Sequence, residues 1–237
     1  MLVIASFGTS GLTAAFGIGG GLALLTLLGY VLPVAALVPV HGVTQMASNA
    51  GRMFVQRAFV RWDRVAPFIA GSVLGAAIGA PFVVRLDDPL LKIGLGAFII
   101  AVTWIRLPAL AQGGRVMMAA GGLATTFLSM FFGASGPLTA AFFAKSFADR
   151  RNYAGSHAAA MTFQHGFKAI AFALAGFSFA DWLPLMAAMA ATGYLGTVVG
   201  ARFLNSMPEA RFRLAFSVLM TLLALDLVRR GVLALAF

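Results

Sequence analysis

Gly17-Ile18-Gly19-Gly20-Gly21 and Gly133-Ala134-Ser135-Gly136-Pro137 interrupt apolar segments at matching places in the two halves of a 237-residue chain. Each break follows a phenylalanine, Phe16 or Phe132, and leads into a short apolar stretch. Helix breakers inside apolar sequence are costly in lipid, because the freed backbone groups find no water there. They are tolerated where the backbone lines a cavity or site. Two such breaks in corresponding repeat positions point to the central binding site of a transporter.

Composition places the chain in a membrane. It is 61% hydrophobic and 10% charged, with a mean hydropathy of +0.94, where soluble domains carry about 25% charged residues. Polar linkers are too short to separate soluble domains, so one compact membrane domain is expected. The 27 glycines suit helices whose backbones approach closely in lipid. With no cysteine there is neither a disulfide nor a thiolate metal site. Three histidines and seven scattered acids argue against a metal centre, and no cofactor is expected. A net charge of +10 on a soluble chain would suggest nucleic acid. Here the basic residues lie mostly between apolar segments, as positive-inside bias requires, so the lipid bilayer and not nucleic acid is the expected partner. The first residues, Met1 to Phe7, lack the basic start of a signal peptide and are read as retained.

Six stretches are long enough to span, at 34–51, 62–84, 89–107, 153–177, 183–204 and 214–228, given that a spanning helix needs about 17–25 residues. Residues 1–32 and 115–147 each hold a break with an apolar piece on either side. Pieces of roughly 11–17 residues, at a 1.5 Å rise, fall short of a core about 30 Å thick at their lower end. Two half-depth helices meeting at the break, a re-entrant hairpin, would fit.

The halves match beyond the glycines. Thr44-Gln45-Met46 corresponds to Phe163-Gln164-His165, and Asn49 to Lys168. Val60-Arg61-Trp62 corresponds to Ala180-Asp181-Trp182, Leu74-Gly75 through Ala80 to Leu195-Gly196 through Ala201, and Pro89 to Pro208. These pairs give two repeats, 1–112 and 113–237. If each hairpin returns to its starting side, three true spans per half invert the second repeat. Arg52, Arg57, Arg61, Arg64, Arg106, Arg115, Lys145, Arg150, Arg151, Arg202, Arg211 and Arg213 then share one side, against Arg85, Lys92, Arg229 and Arg230 on the other. Four full spans per half would split the same residues far more evenly. The stronger bias favours inversion, with the basic side cytoplasmic. The expected fold is therefore an all-α polytopic membrane protein of two inverted repeats. Each repeat is a glycine-broken re-entrant hairpin plus three transmembrane helices, about eight segments by the conventional count.

Lys168 sits near the middle of an apolar helix, where a lysine costs about 2.5–3.5 kcal/mol on insertion scales. Such residues usually mark a site; the plainer alternative is a lysine that snorkels or satisfies backbone carbonyls. His157, Met161, Gln164 and Lys168 share one helix face, and His41, Gln45, Ser48 and Asn49 share another. Any one of them is adequately read as interhelical glue; their alignment suggests a site. After each break a half-helix N-terminus would offer unpaired N–H groups and the positive end of a dipole to an anion. Gly19, Gly20, Gly21, Ser135 and Gly136 would bring that backbone close. Lys168 would supply charge, and Gln45, Asn49 and Gln164 would orient the substrate. Thr139 and, more weakly, Thr26 could add hydroxyl donors. His41 or His157 could carry coupling protons, or be neutral and satisfied within the bundle. Arg52, Arg57, Arg61 and Arg64 are most simply topology determinants that also draw anions to the cytoplasmic mouth.

A rival reading comes from Gly133-Ala134-Ser135-Gly136, which resembles the Gly-x-Ser-Gly motif of rhomboid intramembrane serine proteases, with His157 or His165 as the partner of Ser135. A Ser–His dyad needs hydrogen-bond reach and an oxyanion hole. Ser135 aligns with Gly20, however, so the motif reads as one copy of a structural loop, and the rhomboid histidine is expected in a later span. The chain is read as a non-enzyme.

Gly19-Gly20-Gly21, then Pro39 through Asn49, then Val60-Arg61-Trp62, with Leu74-Gly75 through Gly79 and the second glycine-rich loop, resemble the TauE/SafE family of sulfite exporter-type permeases. The resemblance covers nearly the whole chain. It implies an inner-membrane, multi-pass transporter of small sulfur-containing or organic anions such as sulfite or sulfoacetate. Substrate, direction, coupling ion and homo-oligomerisation are left open by these residues.

Overall fold

The computed structural model describes residues 1–16, 19–83, 88–105, 114–133, 135–143, 147, 149–202 and 209–236. Gly17, Ile18 and Ala134 of the breaks lie outside the described residues. So do Arg85, Arg106 and Lys145 of the charge tally, Pro208, and Gln112 at the repeat boundary. The described chain is helical throughout, with no strand. The helices are α1 Leu2–Phe16, α2 Gly20–Val31, α3 Val34–Val55, α4 Trp62–Val83, α5 Asp88–Trp104, α6 Gly114–Phe132, α7 Gly136–Phe143, α8 Arg150–Leu174, α9 Leu183–Arg202 and α10 Glu209–Ala236. Short 3₁₀ turns, Arg57–Phe59 and Ala180–Trp182, precede α4 and α9, at the same place in each half.

Each of the six stretches expected to span is helical over most of its described residues. Among the described residues three helices are both long and apolar enough to cross a membrane: α4 over Trp62–Pro81, α6 over Gly114–Phe132, and α9 with its preceding turn over Ala180–Gly200. Helices α3, α8 and α10 are at least as long but carry polar and charged side chains. One expectation changes: α6 has 19 residues and is no half-depth piece, because the helix begins at Gly114, ahead of the apolar run, and takes in Arg115. Its partner α7 has only 8 residues. At 1.5 Å per residue that is about 12 Å, far short of a bilayer core.

Local signals place the helix ends. Pro33, extended at φ −60°, precedes α3 and cannot continue a helix backwards. Asp149 caps α8 by accepting from the Arg151 N–H at 2.8 Å. That hydrogen bond, with the Arg151 guanidinium beside it, holds the Asp149 carboxyl below its usual range.

The helices pack crosswise between halves. Helix α4 lies on α6 and α1 on α9, while α3 meets α8 and α5 meets α10. Small residues make this packing possible, because lipid supplies no hydrophobic drive between helices and close van der Waals approach must do so. A Cβ on Gly71 would overlap the carbonyl of Ala119, and one on Gly196 the carbonyl of Phe7. The contacts also give direction. Gly71 lies by Ala119 and Gly79 by Met130, so α4 and α6 run parallel. Gly196 by Phe7 and Gly200 by Gly11 make α1 and α9 parallel. Gly42 by Lys168 and Gly155 by Gln56 make α3 and α8 antiparallel. Gly96 by Ala224 and Gly231 by Pro89 make α5 and α10 antiparallel.

Leu24, Leu25, Leu37, Ile99, Met130, Met189 and Met220 join these elements in one buried cluster. A second, around Phe68, Met118 and Phe143, sits where α7 tucks in. Outward faces are apolar and exposed, for example Leu74 and Ile78 on α4, Leu195 and Val198 on α9, and Leu219 and Leu222 on α10, as a lipid-facing surface requires.

Candidate functional site

Each break is made by a glycine in the left-handed region: Gly19 at φ 101°, capping α2, and Gly133 at φ 73°, after α6. A side chain there would be strained, so glycine permits the turn. The chain folds back at both. A Cβ on Gly20, at the start of α2, would overlap the carbonyl of Thr9 in mid-α1, and Gly121, early in α6, lies 2.6 Å (from its would-be Cβ) from the ring of Phe142 at the end of α7. Helices α1–α2 and α6–α7 are therefore hairpins in the described residues. Pro137 sits in the first turn of α7, where its missing N–H goes unmissed.

Histidines from α3 and α8 reach carbonyls in the first turns of the helices that follow the breaks. His41 Nε2 lies 2.9 Å from the carbonyl oxygen of Gly21, and His157 Nε2 lies 3.4 Å from that of Gly136. A carbonyl only accepts, so each ring donates from Nε2. His165 stands edge-on to His41, with ring centroids 6.0 Å apart at 80°. The Nδ1 atoms of His41 and His165 are buried with no hydrogen-bond partner.

Between the breaks lies a cavity of about 490 Å³ of empty space, counting its mouth. Its wall comes from Thr13 of α1, Gly19, Gly21 and Leu22 at the first break, and Ser135, Gly136 and Pro137 at the second. Helix α3 adds His41, Gln45, Asn49 and Arg52, and α8 adds His157, Met161 and His165. Among the described residues the wall holds no acidic side chain. Seven of the ten residues expected in the site are in it: Gly19, Gly21, His41, Gln45, Asn49, Ser135 and Gly136. Gly21 is also where Gln45 packs, its side-chain amide 3.3 Å from a would-be Cβ.

Gly20, Gln164 and Lys168 are not in the wall. Gly20 is buried against α1. Gln164 is fully buried. Its Oε1 accepts from Ser135 at 2.9 Å and Thr139 at 3.3 Å, and its Nε2 donates to Thr125 at 3.3 Å, so it ties the second break to α6. Lys168 is fully buried as well. Its ammonium donates to the Gly133 carbonyl at 2.8 Å and to Ser129 Oγ at 3.2 Å. The lysine thus satisfies backbone freed by the break, the plainer of the two readings of its position in the sequence, and does not line the cavity. The positively charged side chain in the wall is Arg52, whose guanidinium donates to Asn49 Oδ1. Sequence reasoning left Arg52 among the topology arginines. The signal that finds it is its position on the His41–Gln45–Asn49 face, three turns after His41.

Ser135 donates its hydroxyl to Gln164, not to a histidine, and His157 Nε2 faces the Gly136 carbonyl. No base is placed to activate Ser135, and nothing supports the protease reading.

An all-helical bundle with helices able to cross a membrane and an apolar outer surface defines a multi-pass membrane protein. The family model "Sulfite exporter TauE/SafE" matches residues 2–227, and the chain belongs to that family. No curated protein and no solved structure matches it.

Proposed function

We propose that this transporter moves a small anion, a sulfur oxyanion or organosulfonate such as sulfite or sulfoacetate, by alternating access through the cavity between the two breaks. The observation that carries this reading is the wall itself, which among the described residues holds both glycine breaks, two histidines tied to carbonyls just after them, one guanidinium and no carboxylate. Backbone N–H groups at Gly19, Gly21, Ser135 and Gly136 favour anionic oxygens there, helped by the N-termini of α2 and α7. Gln45 and Asn49 orient the substrate. Gln164 and Lys168 hold the second break in shape.

The halves are proposed to be inverted repeats. If helices alternate in direction, α1 to α5 and α6 to α10 are two odd sets, and the second set starts the opposite way. Antiparallel packing of the counterparts α3 and α8, and of α5 and α10, supports this. A two-fold axis in the membrane plane reverses each helix onto its mate, whereas an axis along the membrane normal would leave mates parallel. Arg57, Arg61, Arg64, Arg115 and Arg151 then share the cytoplasmic side of a bacterial inner membrane. In this reading His41 and His157, which line the cavity, are the candidates for proton coupling.

Purified protein in proteoliposomes, offered sulfite, sulfonates and carboxylates with and without a proton gradient, tests the reading. Saturable flux of a sulfur anion, competed by its relatives, is expected. Flux of none of the panel would overturn it.

A further inference from the structure

We infer that Arg52 takes the charge of the anion, and that Lys168, its counterpart on α8, is a positioning residue for the second break. This deepens the proposed anion-transport site and rests on it.

The counterpart relation follows from the histidines. His41 and His157 do the same job, each facing the carbonyl of a break glycine in its own half. From each, the cavity face continues four and eight residues on, at Gln45 and Asn49 in α3 and at Met161 and His165 in α8. The next residue on the stripe, eleven beyond the histidine, is Arg52 in one helix and Lys168 in the other. The repeats thus place a cation at the same point of the same face.

Their surroundings then separate them. The Lys168 ammonium is committed to the Gly133 carbonyl and Ser129 Oγ. Its stem passes Gly42 of α3, where a Cβ would come within 2.9 Å of Lys168 Cε. Arg52 is half-buried in the cavity wall. One amino group of its guanidinium reaches Asn49 Oδ1, and its Nε is buried with no partner. Among the described residues no carboxylate pairs with it. A guanidinium with donors left over, facing a cavity, presents the fork that matches an oxyanion. Asn49 spends its carbonyl on keeping that fork in place, while its Nδ2 donates to the Gln45 carbonyl at 2.7 Å.

The chain's lack of cysteine makes a direct test simple. In Arg52→Cys the introduced thiol is the only one, so a cationic reagent, aminoethyl methanethiosulfonate, returns a positive charge to that point. Its sulfonatoethyl analogue returns a negative one. Proteoliposome flux of sulfoacetate is the readout, because sulfite itself would cleave the mixed disulfide. Unlabelled Arg52→Cys should lose at least about tenfold in kcat/KM, mainly through KM; the cationic label should restore most of it and the anionic label none. Arg52→Lys, which keeps the charge and guards against a misfolded variant, should retain most flux for sulfite and sulfoacetate with a raised KM. Lys168→Gln should lower the maximal rate with KM within about twofold of wild type.

Wild-type KM in both Arg52 variants, or rescue by the anionic label as good as by the cationic one, would overturn the Arg52 assignment while leaving an anion transporter. A KM rise confined to Lys168→Gln would give the charge to Lys168. A wild-type protein that moves neither sulfite nor sulfoacetate would overturn the anion reading and this inference together.

Discussion

His41 Nε2 lies 2.9 Å from the carbonyl oxygen of Gly21, so a histidine on α3 ties itself to the first turn of α2, directly after the first break. His157 stands in the same relation to Gly136 at 3.4 Å. Glycine lets the chain turn back within apolar surroundings, and the histidine pins the helix that follows by adding a second hydrogen bond to a carbonyl of its first turn, worth about 0.5–1.5 kcal/mol. Each half thus carries its own break and its own histidine tie to the helix after it, and both breaks contribute to one cavity wall.

The first prediction concerns these rings. His41→Leu should lower stability in detergent by about 0.5–1.5 kcal/mol by removing the hydrogen bond that ties α3 to the first turn of α2, and transport should fall with it. His41→Asn, which keeps an N–H donor, should lose less. His157→Leu should cost less than His41→Leu, since its contact is longer. Thermal unfolding of the purified variants beside proteoliposome flux measures both effects. If the leucine variants matched wild type in both, the rings would have no part in holding the breaks.

Much of this arrangement was legible in the sequence. The two breaks, the six long helices and the polar stripes on α3 and α8 follow from glycine placement and helical period alone. Register within the stripes did not follow. Matching Gln45 with Gln164 and Asn49 with Lys168 pairs residues by chemical type. One residue turns a helix by about 100°, so neighbours such as Gln164 and His165 face different elements. The histidine contacts instead pair Gln45 with Met161, Asn49 with His165 and Arg52 with Lys168. Arg52 was hidden because it opens the run Arg52, Arg57, Arg61, Arg64, which membrane topology already explains. Lys168 was visible as a buried cation, but a helix face turned to the interior meets both cavity and backbone. Only the position of Gly133 decides which of the two the ammonium reaches.

The second prediction concerns orientation. Inverted repeats of the proposed kind put the end of α2 and the chain's last residue on one side and the link between repeats on the other. Activity reporters fused after Tyr30, Gln112 and Phe237 should therefore disagree, with only the Gln112 fusion reporting cytoplasm. A cytoplasmic signal from the Phe237 fusion would leave the antiparallel packing of α3 with α8 in need of a different explanation.

The third prediction separates transport from hydrolysis and probes the second break. Ser135 spends its hydroxyl on Gln164 Oε1 at 2.9 Å, where Thr139 also donates at 3.3 Å. Ser135→Ala removes one donor from an acceptor that keeps another, so it should cost about 0.5–1.5 kcal/mol of stability and leave most of the flux. A serine nucleophile would instead lose all activity. Gln164→Leu strands two hydroxyls and leaves Thr125 without the Nε2 donor, and should be the most damaging to folding. Gln164→Glu is the informative case. It keeps the acceptor for Ser135 and Thr139 but sets a carboxylate directly behind the cavity wall at Ser135. In a medium far less screening than water, that charge opposes an anion in the cavity, so KM for sulfite should rise while Gln164→Glu still purifies as a folded protein. A KM for sulfite unchanged in folded Gln164→Glu, at a pH high enough to ionise this buried carboxyl, would mean that the anion does not approach the second break.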